Sequence, residues 1–171
     1  MHDTTAFAPA IKREMVSSIP KLRAFAVSLC GNQDRADDLV QETLARGLLN
    51  IESFTPGTNL LAWLFTILRN AYYSEFRKRR REVADSDGVH TATLVTEAAQ
   101  NDHMDLLDFQ RALQKLPPDQ REALILIGAS GLSYEEAAQI CNCAIGTIKS
   151  RLSRARHKLG EMLGVEAPEE D

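Results

Sequence analysis

Apolar positions recur at helical spacing along most of this chain, and the interruptions fall at Gly, Pro and Asn. Residues 1–16 are mixed and are expected to fray at the start. Pro20 opens a helix whose stripe Leu22, Phe25, Ala26 and Leu29 ends at Cys30-Gly31-Asn32. A second helix follows from about Gln33 to Asn50, with Ala36, Leu39, Val40, Leu44 and Leu48 inward. That leaves Asp37, Asp38, Gln41, Glu42 and Arg46 grouped elsewhere on the cylinder, a polar face of the kind that is usually only solvated.

The run Phe54-Thr55-Pro56-Gly57-Thr58-Asn59 is turn chemistry, and Thr58 or Asn59 can cap the helix that starts next. This helix changes character along its length, from apolar between Leu60 and Leu68 to strongly basic between Arg77 and Arg81. Between these ends Trp63, Phe65, Tyr72, Tyr73 and Phe76 cluster with Arg69 and Asn70. Core packing accounts for Trp63 and Phe65. Tyr72, Tyr73 and Phe76, set among Arg69, Arg77 and Lys78, fit either core packing or single-stranded nucleic acid, which asks for flat faces for bases and cations for the backbone.

From Glu82 to His103 periodicity is lost, which marks a linker; as a flexible coil it would reach ~26 Å and fully extended roughly 75 Å. Met104 to Leu116 again reads as a helix, with Leu106, Phe109, Leu113 and Leu116 inward. Pro117-Pro118 stops it, Asp119 can cap the next, and the run Ala123 to Ile127 supplies core before Gly128 to Gly131 loosen the chain.

Residues 131–159 read as a helix-turn-helix. Ser133 and Glu136, three apart, form a capping box that starts one helix near Tyr134, with Ala137, Ala138 and Ile140 packing inward. Asn142 suits the left-handed residue of a sharp turn. The second helix buries Ile145, Ile148, Leu152, Ala155 and Leu159 and turns Thr147, Lys149, Ser150, Arg151, Ser153, Arg154, Arg156 and Lys158 to its flanks and outside, with no acid among them. The bland reading is a solvated basic face. Against it stand the tight turn ahead of the helix and the mixture of long cations with short hydroxyls, which suits phosphates and base edges respectively.

Composition is that of a globular helical chain: 171 residues, 44% hydrophobic and 26% charged. The fold class expected is all-α, in two small helical domains. The domain boundaries are an N-terminal extension 1–16, a helical bundle 17–81, a flexible acidic linker 82–103, a helix-turn-helix domain 104–160 and an acidic tail 161–171. The net charge of −4 conceals alternating blocks: residues 1–81 carry twelve cations against eight acids, 82–108 none against seven, 109–160 eight against four, and 161–171 none against five. The footprint for nucleic acid is therefore local rather than global.

Cys30, Cys141 and Cys143 are an odd count without a spaced framework, which points to reduced thiols in a cytosolic compartment. No metal is expected at Cys141 and Cys143, since His157 lies a whole helix away. No apolar run approaches a membrane span and no signal-peptide core opens the chain. Paired carboxylates in a cleft, a nucleophile elbow and a phosphate-cradling glycine loop are all missing from the pattern, so an enzyme is a poor reading and no cofactor is expected.

The segments DDLVQETLARG, FTPGTNLLAWLFTILRNAYYSEFRKRRRE and LPPDQREALILIGASGLSYEEAAQICNCAIGTIKSRLSRARHKL, in this order, resemble the two domains of an extracytoplasmic-function (ECF) sigma factor of the sigma-70 family. YSEFRKRRREVADSDG further resembles the EcfG group, which directs a general stress response. The resemblance implies a sigma-2-like bundle and a sigma-4-like helix-turn-helix domain.

It implies that Asp37, Asp38, Gln41, Glu42 and Arg46 dock on the β′ clamp helices of core RNA polymerase, whose β flap is a further partner. Phe54, Asn59, Trp63, Arg69, Asn70, Tyr73, Arg77 and Lys78 would serve the minus 10 promoter element and its melting. Thr147, Lys149, Ser150, Arg151, Ser153, Arg154, Arg156 and Lys158 would serve the minus 35 element. A NepR-like anti-sigma factor is the implied resting partner, and no membrane is involved. Two departures stand out: Leu61 where many members carry Arg, and Asn142 in place of the commoner turn glycine. The rival readings are a sigma-like mimic that sequesters an anti-sigma factor and a simple helix-turn-helix regulator.

Overall fold

The computed structural model describes residues 4–85 and 104–166, all helix and connecting turn. The chain divides into two compact units. The first holds α1 (Thr4–Cys30), α2 (Gln33–Leu49) and α3 (Leu60–Asp85), and the second α4 (Met104–Lys115), α5 (Pro118–Leu124), α6 (Tyr134–Cys141) and α7 (Ile145–Leu163).

In the first unit the three helices pack against one another around Leu22, Phe25, Leu60, Leu64, Phe65 and Leu68, all fully buried. Phe25 and Phe65 meet edge to face with centroids 4.9 Å apart. Each such side chain contributes about 1.5–3 kcal/mol of burial, enough in sum to hold three helices without a sheet. Gly31 at φ +66° ends α1, and Asn32 caps α2 by accepting the Arg35 backbone N–H at 3.1 Å.

The first helix begins well before Pro20, at Thr4, with Pro9 and Pro20 inside it. Ile11 and Met15 are buried and continue the stripe of Leu22 and Phe25 backward, while the very start of the chain, 1–3, where fraying is expected, lies outside the described residues. Ahead of Pro20, Ser17 and Ser18 both donate their hydroxyls to the Glu14 carbonyl at 2.8 Å, side-chain bonds that let a helix bend where proline removes a backbone donor.

The inward face of α2 is also shifted from the expected one. Ala36, Leu39, Val40, Thr43 and Gly47 are buried, while Leu44 is half-buried and Leu48 is 46% exposed. Small residues win these positions because α2 runs close to its neighbours: a Cβ on Gly47 would lie 3.1 Å from Leu64 Cδ2 and 3.2 Å from Met15 Cε. Thr43 satisfies its buried hydroxyl by donating to the Leu39 carbonyl at 2.7 Å.

In the second unit α7 is the central helix and touches α4, α5 and α6. Pro118 occupies the first turn of α5, where its missing N–H costs nothing, and Asp119 accepts the Gln120 N–H at 2.9 Å. α5 continues into a π-helical turn, Ile125–Ala129, which ends at Ser130 and Gly131. On α4, Ala112 and Leu113 are buried, as is Leu116 just beyond it, but Leu106 and Phe109, expected inward, are 53% and 38% exposed.

The basic end of α3 runs through Glu82 to Asp85 as continuous helix, so the expected linker loses its first four residues to it. The rest of that linker, 86–103, and the end of the acidic tail, 167–171, lie outside the described residues. No helix among the described residues is long and apolar enough to cross a membrane.

Candidate nucleic-acid interface

The helix-turn-helix forms residue by residue as its sequence dictates. The Ser133 hydroxyl accepts the Glu136 N–H at 3.1 Å while the Glu136 carboxylate accepts the Ser133 N–H at 2.9 Å, a reciprocal capping box. Asn142 sits at φ 51° in the left-handed region, and the Cys143 N–H closes the turn on the Ala138 carbonyl at 3.0 Å. α7 starts at Ile145 with Ile148, Leu152 and Ala155 buried against the unit. Ile145, expected inward, is 39% exposed, because it lies in the first helical turn before the stripe engages.

The cations of α7 are not equivalent. Lys149 lies over the Tyr134 ring, 5.4 Å from its centroid. Arg151 turns the opposite way: its Nε is 3.4 Å from the Asp119 carboxylate and its Nη1 4.0 Å from Cys143 Sγ. It is one-quarter exposed and lies on the flank of α7. Arg156 and Thr147 are half-buried, whereas Ser150, Ser153, Arg154 and Lys158 are exposed.

On α3 the expected minus 10 residues separate. Asn59 caps the helix by accepting the Ala62 N–H at 3.3 Å. Asn59, Trp63, Asn70 and Arg77 then fall at helical spacing along one flank, with Tyr73 beside them. Arg69 lies 4.7 Å from the Tyr73 centroid, so the cation and the ring form one surface.

Phe54 is 7% exposed and packs against Trp63 with ring centroids 5.3 Å apart, at the start of the loop that leads into α3. The other aromatics differ in exposure. Phe65 is wholly core; Tyr72 and Tyr73 are half-buried and meet edge to face at 5.1 Å; Phe76 is 46% exposed.

Tyr72, Phe76, Val83, Arg79 and Arg80 line an open groove of about 480 Å³ together with Arg35 from α2. Glu75 bridges Arg79 at 2.6 Å and Arg35 at 4.0 Å beside it. Arg35 was not singled out from the sequence, where nothing signals that a residue forty positions away shares a groove with Phe76.

The acidic face of α2 is assembled as the spacing implies. Asp38 and Gln41 are exposed, Glu42 pairs with Arg46 at 2.5 Å, and Asp37 takes a two-pronged contact from Arg23 of α1 at 2.8 and 3.2 Å. Asp37 is thus already engaged, and Arg23 is a member of this face that only the tertiary structure reveals. No group of three or more potential metal ligands exists among the described residues.

Residues 15–82 match the sigma-70 region 2 family model and residues 106–159 match sigma-70 region 4. The chain is 60% identical over 161 residues to the ECF RNA polymerase sigma factor EcfG of Rhodopseudomonas palustris, covering 94% of this chain and 89% of the relative. It is also similar to the sigma factor RpoE solved with the anti-sigma factor NepR from Bartonella quintana, at 57% identity and a TM-score of 0.83, over 92% of this chain and 98% of that one. A chain of the PhyRSL–NepR complex from Sphingomonas sp. Fr1 shares the fold, at 17% identity and a TM-score of 0.62, over 93% of each chain. The two matched regions, each laid on one of the two helical units, and this identity over nearly the whole length establish that the chain belongs to the extracytoplasmic-function sigma factors of the sigma-70 family, within the EcfG group.

Proposed function

We propose that this chain is an alternative sigma factor that joins core RNA polymerase and directs it to stress-response promoters. In this reading the first unit docks on the β′ clamp helices through Asp38, Gln41 and Glu42, with Asp37 and Arg46 completing the face, and the β flap is engaged by the second unit. Carboxylates and an amide presented by a helix suit a basic helical partner. The flank Asn59, Trp63, Asn70, Tyr73 and Arg77, with Arg69 and Lys78 at its edges, meets the minus 10 element as the strands part, and α7 enters the major groove of the minus 35 element.

The observation that carries this reading is α7: five cations and three hydroxyls between Ile145 and Leu159, no carboxylate among them, delivered by a tight left-handed turn. A simple one-motif regulator leaves the first unit without a use. A sigma-like mimic would have no need of the basic surfaces retained on α3 and α7.

The role is a non-enzymatic one, exercised in the cytoplasm, since the phosphodiester chemistry belongs to the polymerase. The resting partner is a NepR-like anti-sigma factor, supported by the likeness to RpoE, which was solved with one. Run-off transcription with purified core polymerase and a template bearing family-like GGAAC and GTT elements tests the whole. A transcript that requires this chain and is abolished by a NepR-type protein is expected. Failure to bind core polymerase would return the function to the mimic or the simple regulator.

A further inference from the structure

We infer that the groove between the start of α2 and the second half of α3 binds a small ligand that joins a flat ring to a chain of phosphates, a nucleoside polyphosphate. It stands apart from the proposed promoter surfaces and does not depend on them.

The groove lies on its own side of α3. At about 100° per residue, Tyr72, Phe76, Arg79, Arg80 and Val83 centre about 120° round the cylinder from the flank Asn59, Trp63, Asn70, Tyr73 and Arg77. Arg35, in the first turn of α2, lines it from the opposite side.

Packing of the first unit does not account for its floor. The core positions nearby are filled by Leu64, Phe65 and Leu68, all fully buried, yet Phe76 and Val83 are 46% and 58% exposed and Tyr72 is only half-buried. The Tyr72 and Phe76 rings lie with centroids 6.3 Å apart and planes inclined by 26°, so one turn of helix offers two flat faces in nearly the same orientation. Such faces, open to water, suit a planar base, which stacks on aromatic rings whatever its identity.

The walls are cationic. The Glu75 carboxylate lies 2.6 Å from the Arg79 guanidinium and 4.0 Å from that of Arg35, which gathers cations from two helices at one place and cancels only one of their charges. Arg80 is exposed on the same side. Three guanidinium groups against one carboxylate leave two positive charges beside the aromatic pair, a match for two or more linked phosphates. A volume of about 480 Å³ sets the scale of the ligand, since small-molecule sites occupy roughly 300–1,000 Å³.

Equilibrium dialysis of the full chain against labelled ATP, GTP, adenosine and inorganic tripolyphosphate tests the site. ATP or GTP is expected to bind one to a chain, at least tenfold more tightly than adenosine or tripolyphosphate, each of which carries only part of the recognised chemistry. Phe76→Ala is expected to lower nucleotide affinity about tenfold without changing tripolyphosphate binding, and Arg80→Ala to lower both about tenfold. Both side chains are exposed, so an unchanged thermal midpoint should accompany each loss. Absence of nucleotide binding by the wild-type chain, tripolyphosphate binding as tight as that of nucleotide, or full nucleotide affinity in either variant would overturn the proposal. So would a single-stranded oligonucleotide that binds more tightly than the nucleotide and loses as much on Phe76→Ala, because the groove would then belong to a strand.

Discussion

Phe54 and Trp63 lie with ring centroids 5.3 Å apart and planes inclined by 51°, the first buried and the second half-buried. The loop between them is therefore pinned at its start by an aromatic contact and at its end by the Asn59 cap. Phe54→Ala should cost about 3 kcal/mol of stability, read by chemical denaturation, and should depress promoter opening more than polymerase binding, read by permanganate reactivity of the melted strand. Loss of polymerase binding in equal measure would show that the loop is not a separate promoter element.

Gly47 separates α2 from α1 and α3 by less than a methyl group. Gly47→Ala gains helix propensity but must displace Leu64, which is fully buried, and Met15, which is flexible. A net loss of about 1 kcal/mol is expected in urea denaturation. A gain in stability would mean that Met15 gives way without resistance.

Two substitutions on different units should dissociate the two activities. Asp38→Ala is expected to weaken core polymerase binding severalfold while leaving the affinity of formed holoenzyme for duplex intact, and Arg154→Ala to do the reverse. With ~6 phosphate contacts, the logarithmic salt slope of duplex binding should be about −5. Pull-down with core polymerase and fluorescence anisotropy across a salt series measure the two quantities. Parallel losses in both variants, or a flat salt response, would contradict the assignment.

Burial pushes the Cys30 thiol above the ordinary cysteine value, with Arg35 and Arg79 pulling it partly back and Glu75 adding to the rise. A raised value favours the protonated thiol in the folded chain. The stabilisation is whole below the unfolded-state value and is lost as pH rises through the folded one. Site-resolved mass spectrometry of iodoacetamide alkylation against pH should place the Cys30 midpoint higher in the folded chain than in the urea-unfolded one; coincident midpoints would refute the burial argument.

The helix-turn-helix was legible almost atom by atom, because its capping box and left-handed turn are written in adjacent residues. The sides of longer helices were less so. Leu48 and Leu106 are apolar and fall at helical spacing, yet Gly47 and Ala112 take the buried positions, since the close approach of neighbouring helices favours small residues and periodicity does not encode that distance. Pro20 misled because a helix tolerates proline when its preceding turn carries Ser17 and Ser18 and its stripe stays buried. The ties that orient individual functional residues, Arg23 to Asp37 and Asp119 to Arg151, join distant positions and leave no local trace in the sequence.

The unbroken course of α3 has a mechanical consequence. Its 26 residues make a rod about 39 Å long, with its first turns clamped in the core at Leu60 and Leu64 and its last turns carrying Arg77 to Arg81 in solvent. Such a rod is a lever arm: a tilt of five degrees at the clamped end would sweep the basic tip through about 3 Å, the length of a hydrogen bond. The aim of the cations is thus set by the packing of leucines several turns away, and a change in the core that leaves every surface residue in place would still redirect them.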